Sequence, residues 1–87
     1  MTDRKLVGTV SHYFGKINVV GIELSDRLAI GDRILITGHT TALEQTVTSL
    51  ELDRQPLEMA EAGQAVGIKV IERVREGDQV YLLLEPT

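Results

Sequence analysis

The segment Ser49-Leu50-Glu51-Leu52-Asp53-Arg54-Gln55-Pro56-Leu57-Glu58-Met59-Ala60-Glu61-Ala62-Gly63-Gln64-Ala65-Val66-Gly67-Ile68-Lys69-Val70 decides the fold. It reads as a strand, a polar loop closed by Ala62-Gly63, and a second strand. Leu50 and Leu52 alternate with Glu51 and Asp53, and Val66, Ile68 and Val70 resume the alternation, a period of two that belongs to half-buried strands. Pro56 has no N–H for a ladder and ends the pairing of the first strand. Residues 60–62 have room for one helical turn, too short to change the class.

The same period runs outward in both directions. Residues 6–13 read as a first strand, with Phe14-Gly15-Lys16 as the turn, and residues 17–24 as a second. After Ser25-Asp26-Arg27, the apolar Leu28-Ala29-Ile30 leads into Gly31-Asp32, and residues 33–37 form a third strand before a turn at Gly38-His39-Thr40. The fourth strand covers 41–53. Its apolar residues change parity, with Leu43 and Val47 on odd positions and Leu50 and Leu52 on even ones, which predicts a β-bulge near Thr48-Ser49. Residues 64–74 and 79–85 complete six strands. Gly-Asp occurs at Gly31-Asp32 and Gly77-Asp78, each time before an apolar-rich strand, as turn punctuation.

Six short strands without a convincing helix predict an all-β fold, a small closed six-stranded antiparallel β-barrel whose closure removes exposed edges. The expected core is Val10, Ile17, Val19, Ile34, Ile36, Val47, Leu50, Leu52, Val66, Ile68, Val70, Val80 and Leu82. The 87 residues make one domain, 1–87. With no cysteine and with Tyr13, Phe14 and Tyr81 as its aromatics, the core must be aliphatic and unstapled. The 13 acidic and 9 basic residues give a net charge of −4, which disfavours extended nucleic-acid binding. No apolar run is long enough to span a membrane, and residues 1–8 lack a signal-peptide core, so the expected setting is the cytoplasm.

In order along the chain, Gly8-Thr9-Val10, Val19-Val20-Gly21, Ile30-Gly31-Asp32-Arg33-Ile34, Val47-Thr48-Ser49-Leu50-Glu51, Ala62-Gly63-Gln64-Ala65-Val66-Gly67-Ile68 and Val74-Arg75-Glu76-Gly77-Asp78-Gln79-Val80 resemble the second-domain β-barrel of elongation factor Tu and related translational GTPases. The chain is also similar to small stand-alone elongation-factor-like proteins, and to the C-terminal barrel on some collagenase-like peptidases and RNA-modifying proteins. The elongation-factor resemblance implies that Glu51 and Arg54 line a pocket for an RNA 3′ end. It implies this without the GTPase domain, which the chain lacks.

A carboxylate accepts from a ribose hydroxyl and a guanidinium pairs with phosphate, so Glu51 and Arg54 suit such an end; equally, they suit a solvated strand end. His12, Tyr13 and Phe14 form a cluster at a hairpin tip that either meets a partner or plugs the barrel. Lys69, Arg73 and Arg75 share parity, but Glu72 and Glu76 dilute them to a mixed solvated face. His12 and His39 lack the spacing of metal ligands, and no serine has nucleophile-elbow context. The expectation is a non-enzymatic binding module without cofactor or metal, translation-associated and contacting an RNA 3′ end or a translation partner. The alternative is a docking adaptor that recruits a separate enzyme, such as a collagenase-like peptidase or an RNA-modifying protein.

Overall fold

The computed structural model describes residues 3–84, and every regular element among them is a strand. The strands are β1 (Asp3–Phe14), β2 (Val19–Leu24), β3 (Leu28–Ala29), β4 (Arg33–Thr37), β5 (Ala42–Thr46), β6 (Glu51–Leu52), β7 (Gln55–Pro56), β8 (Met59–Ala60), β9 (Ala65–Lys69) and β10 (Gln79–Leu84). Eight form one sheet in the order β5-β4-β10-β1-β2-β9-β6-β7, and β3 pairs with β8 apart from it. All pairings are antiparallel. No helix of the described residues is long and apolar enough to cross a membrane. Residues 60–62 do not form a helical turn, because Ala60 ends β8 and the chain then turns. The sixth expected strand matches β10 through Leu84; its last residue, Glu85, lies outside the described residues.

The expected closed barrel is corrected to an open sheet, with β5 and β7 at its two ends. The expected fourth strand is two: β5 pairs with β4, residues 47–50 leave the ladder, and β6 pairs with β9 at Glu51 opposite Gly67. That break, rather than a bulge at Thr48-Ser49, absorbs the change of parity. It lets both Val47 and Leu50 be buried. Side chains stitch the seam where a backbone ladder is missing. The buried Gln45 donates from Nε2 to the Lys69 carbonyl at 2.8 Å and accepts at Oε1 from the Ile71 N–H at 3.0 Å. Ser49 Oγ accepts from the Lys69 N–H at 3.1 Å. The irregularities in register fall on β1, between Leu6 and Gly8 and between Val10 and His12.

The core is aliphatic. Val10, Ile34, Ile36, Val47, Leu50, Val66, Ile68, Val70 and Val80 are buried as expected, joined by Val7, Val20, Ile22, Leu24, Leu28, Leu43 and Val74. The expected register of β2 is corrected. Val20, Ile22 and Leu24 face inward, Val19 is half-buried, and Ile17 sits in the β1–β2 turn at 60% exposure. Both parities of that stretch are apolar, so alternation alone chose the wrong face. Leu52 and Leu82 are half-buried and pack against the core edge.

Three turns of one design hold this sheet. In Ala29–Asp32, Glu61–Gln64 and Arg75–Asp78, glycine occupies the third position with φ of 97°, 89° and 89°. This is the type II geometry that a side chain with Cβ resists. In each, the fourth residue's side-chain oxygen accepts from the first residue's N–H at 2.8–2.9 Å. The glycine N–H donates to a carbonyl of Val47, Leu24 or Val10, and that same residue's N–H donates back to the carbonyl of Asp32, Gln64 or Asp78. All three receiving residues are buried.

Two sets of substitutions test this architecture by urea unfolding. Leu50→Ala should cost about 2–5 kcal/mol, whereas Ile17→Ala should change stability by no more than about 0.5 kcal/mol. Gly31→Ala, Gly63→Ala and Gly77→Ala should each cost about 1–2 kcal/mol, the left-handed penalty, because no atom crowds the added methyl. Equal stability of all three with the parent would show that the turns do not hold this conformation.

Candidate functional site

Across the outer face of the sheet, neighbouring strands place His12 opposite Gly21, Gly21 opposite Gly67, Gly67 opposite Glu51, and Glu51 opposite Pro56. Directly paired residues point to the same face. The second and third positions of this row, Gly21 and Gly67, therefore carry no side chain, while those on either side, His12 and Glu51, do. The result is a trough of about 510 Å³ with a bare backbone floor. Val19 and Ala65 extend the floor; Ser11, His12, Phe14 and Ile17 form one wall, and Glu51, Asp53 and Arg54 the other.

Each wall is shaped by a local departure from regular structure. The irregularity in β1 leaves Ser11 without a partner and brings His12 into register with Gly21. The His12 and Phe14 rings lie 4.4 Å apart at 59°, and His12 Nδ1 meets Glu76 Oε2 at 3.1 Å. Phe14 is 48% exposed, so the aromatic wall is open to solvent. On the far side, Asp53 and Arg54 are the central pair of the two-residue β6–β7 hairpin, with φ of 51° and 65°. A hairpin with both central φ positive is a type I′ turn, which favours Asn-Gly or Asp-Gly and is strained for arginine. None of Glu51, Asp53 and Arg54 has an ion-pair partner within 4.0 Å among the described residues. The wall thus presents two carboxylates and one guanidinium. Away from the trough, Lys5 Nζ bonds Asp26 at 2.6 Å; that contact and the Arg27 N–H hold the Asp26 carboxyl below its ordinary value.

Four of the five candidate residues, Glu51, Arg54, His12 and Phe14, thus converge on one trough from strands separated by β2 and β9. Tyr13 does not join them. It faces the other way, packs against the core, and donates from its hydroxyl to Asn18 Oδ1 at 3.3 Å. The residues that sequence reasoning missed are Gly21 and Gly67, although glycine inside a strand is itself a sign of close approach. No group of three or more His, Cys, Asp or Glu residues among those described is placed to hold a metal.

No protein-family model matches the chain. It is 45% identical over 80 residues to a Methanocaldococcus jannaschii protein described as an uncharacterized protease, covering 91% of this chain and 20% of that one. It is 40% identical over 77 residues to a collagenase of Porphyromonas gingivalis, covering 86% and 21%. The chain therefore spans about a fifth of the length of these curated relatives. Its fold matches the crystal structure of the C-terminal domain of a Geobacillus thermoleovorans protein described as a U32 peptidase, with a TM-score of 0.84, 16% identity, and 90% and 91% of the two chains covered. The selenomethionine variant of that domain gives 0.83.

These matches overturn the elongation-factor reading and, with it, the assignment to translation and RNA. The curated relatives are described as a protease and a collagenase, and the solved neighbour is the C-terminal domain of a protein described as a U32 peptidase. The physical reason for the misreading is visible in the turns. Gly31-Asp32, Gly63-Gln64 and Gly77-Asp78, which carried much of the resemblance, are what this backbone requires at three docked turns. They report geometry rather than a bound nucleic acid.

The strain at the trough wall is measurable. Arg54→Gly creates the favoured Asp-Gly pair and should raise unfolding stability by about 1 kcal/mol. A drop in stability would mean that the Arg54 side chain contributes more to the fold than its backbone costs.

Proposed function

We propose that this chain is a non-catalytic docking module that works in the cytoplasm with a collagenase-like peptidase of the U32 type. One observation carries the reading: the chain aligns along most of its length with only a fifth of proteins described as a protease and a collagenase. Catalysis then resides in the larger remainder of such proteins, and a module of this kind recruits, carries or orients it. The site supports this division of labour. Among the described residues no side-chain hydrogen bond joins a serine to His12 or His39, so no serine is paired with an imidazole base. Glu51 and Asp53 lie on an open trough wall, Asp53 exposed in the hairpin turn, with no enclosed pocket to hold a substrate away from water.

The test is affinity capture of the tagged chain from its native lysate after RNase treatment. A U32-type peptidase retained through the RNase step is the expected result. Recovery of RNA and translation factors alone, lost on RNase treatment, would overturn the reading. The purified chain should leave casein and gelatin uncut; cleavage by the chain itself would remove the non-catalytic part of the proposal.

A further inference from the structure

A concavity of about 510 Å³ takes a side chain or two with the backbone between them. Its floor is bare at Gly21 and Gly67 and apolar at Val19, with Phe14 standing exposed at one edge. The opposite edge carries Glu51 and Asp53 against the single cation Arg54, and the chain as a whole is at −4. Apolar floor and aromatic edge call for an aliphatic or aromatic side chain; the excess of carboxylate calls for a cation rather than an anion.

The geometry points to a seat for an extended, cationic stretch of polypeptide. An apolar side chain rests on the glycine floor against Phe14 and Val19, and a lysine or arginine two residues along, on the same side of the extended backbone, lies against Glu51 and Asp53. The occupant is a segment of the polypeptide on which the peptidase acts, held by the module while the enzyme cuts elsewhere along it. The assignment as substrate rests on the docking-module reading above; the peptide seat itself does not. A single seat of this size gives weak binding, which suits a site that must release its occupant.

The experiment is a titration of the ¹⁵N-labelled chain with the blocked hexapeptide acetyl-GLAKAG-amide, whose leucine and lysine share one side of an extended backbone. The expected result is amide shift changes at Gly21, Gly67, His12 and Phe14, with Gly31 and Gly77 unmoved as internal controls. The peptides with glycine in place of leucine, or glutamate in place of lysine, should bind about tenfold more weakly, the loss expected for one well-seated group. Raising the salt should weaken the parent peptide, because the charges are exposed.

Gly67→Val fills the floor and should abolish binding. It should still fold, since a Cβ there meets nothing nearer than Val19 Cγ1 at 3.4 Å, the γ-methyls enter the open trough that Gly67 floors, and valine suits a strand; an unchanged dispersion of the amide spectrum checks it. Glu51→Gln gives a second variant that keeps the shape and removes one charge. Equal binding of the lysine and glutamate peptides, shifts located elsewhere, or a folded Gly67→Val chain that still binds would each overturn the seat. A captured peptidase that displaces the peptide would overturn the substrate assignment, because the trough would then belong to the enzyme interface. Peptide binding with no peptidase captured would remove the docking reading and leave the seat in place.

Discussion

The reciprocal backbone pair is the constraint on which this fold depends. Val10, Leu24 and Val47 lie on different segments, and each exchanges N–H···O=C bonds with a glycine-containing turn from elsewhere in the chain. Those segments also carry core side chains. The turns thus fix where apolar residues from distant sequence meet, and each buried backbone group at these positions is paired within the protein rather than left to water. An open sheet of short strands, with no cysteine to staple it, gains its definition from such closures. The Gln45 amide does comparable work at the seam, replacing with one side chain the two backbone partners that the missing ladder would have supplied.

What the sequence discloses of this architecture follows from what each residue is able to signal. Strand β4 is legible to the residue, because Arg33-Ile34-Leu35-Ile36-Thr37 stands between a glycine-aspartate turn and a Gly38 turn. The parity change between Val47 and Leu50 is legible as a defect but not as its kind, since a bulge and a strand that leaves one neighbour for another both shift parity by one. The register of β2 is illegible by alternation, because Ile17, Val19, Val20 and Ile22 offer both faces. It is set by the partner strands, Val20 lying between Tyr13 and Ile68. The Glu61–Gln64 turn of the repeated design was hidden because Gln64 stands where the other two have aspartate; a side-chain oxygen one methylene farther out makes the same bond.

The trough divides along similar lines. Its walls were legible, one from the polar residues after Leu50 and the other from scarce aromatics at a hairpin tip. Their meeting was not, because it depends on strand order: β2 and β9 lie between the walls, and only pairing shows that glycine occupies the same row in both. The elongation-factor resemblance failed for a related reason. Its most specific residues lie in the turns, where backbone geometry restricts the choice of amino acid, while the chemistry of the trough is acidic on balance and opposes a polyanion.

The two departures from regular structure at the trough are best understood together with the latched turns. A type I′ hairpin with aspartate and arginine at its centre costs free energy that an Asp-Gly pair would not. An irregular β1 gives up ladder bonds at Ser11. A small domain with little stability to spare carries such costs only where the rest of the fold over-determines the local conformation. Here β6 is held at Gly67 and through the Leu57 N–H to Leu50 carbonyl bond, while β1 is laddered on both sides and held at Val10 by the third turn. The rigid latches and the strained walls therefore belong to one design, in which the closures fix the frame and the frame keeps three charged side chains and two rings aimed into the same space.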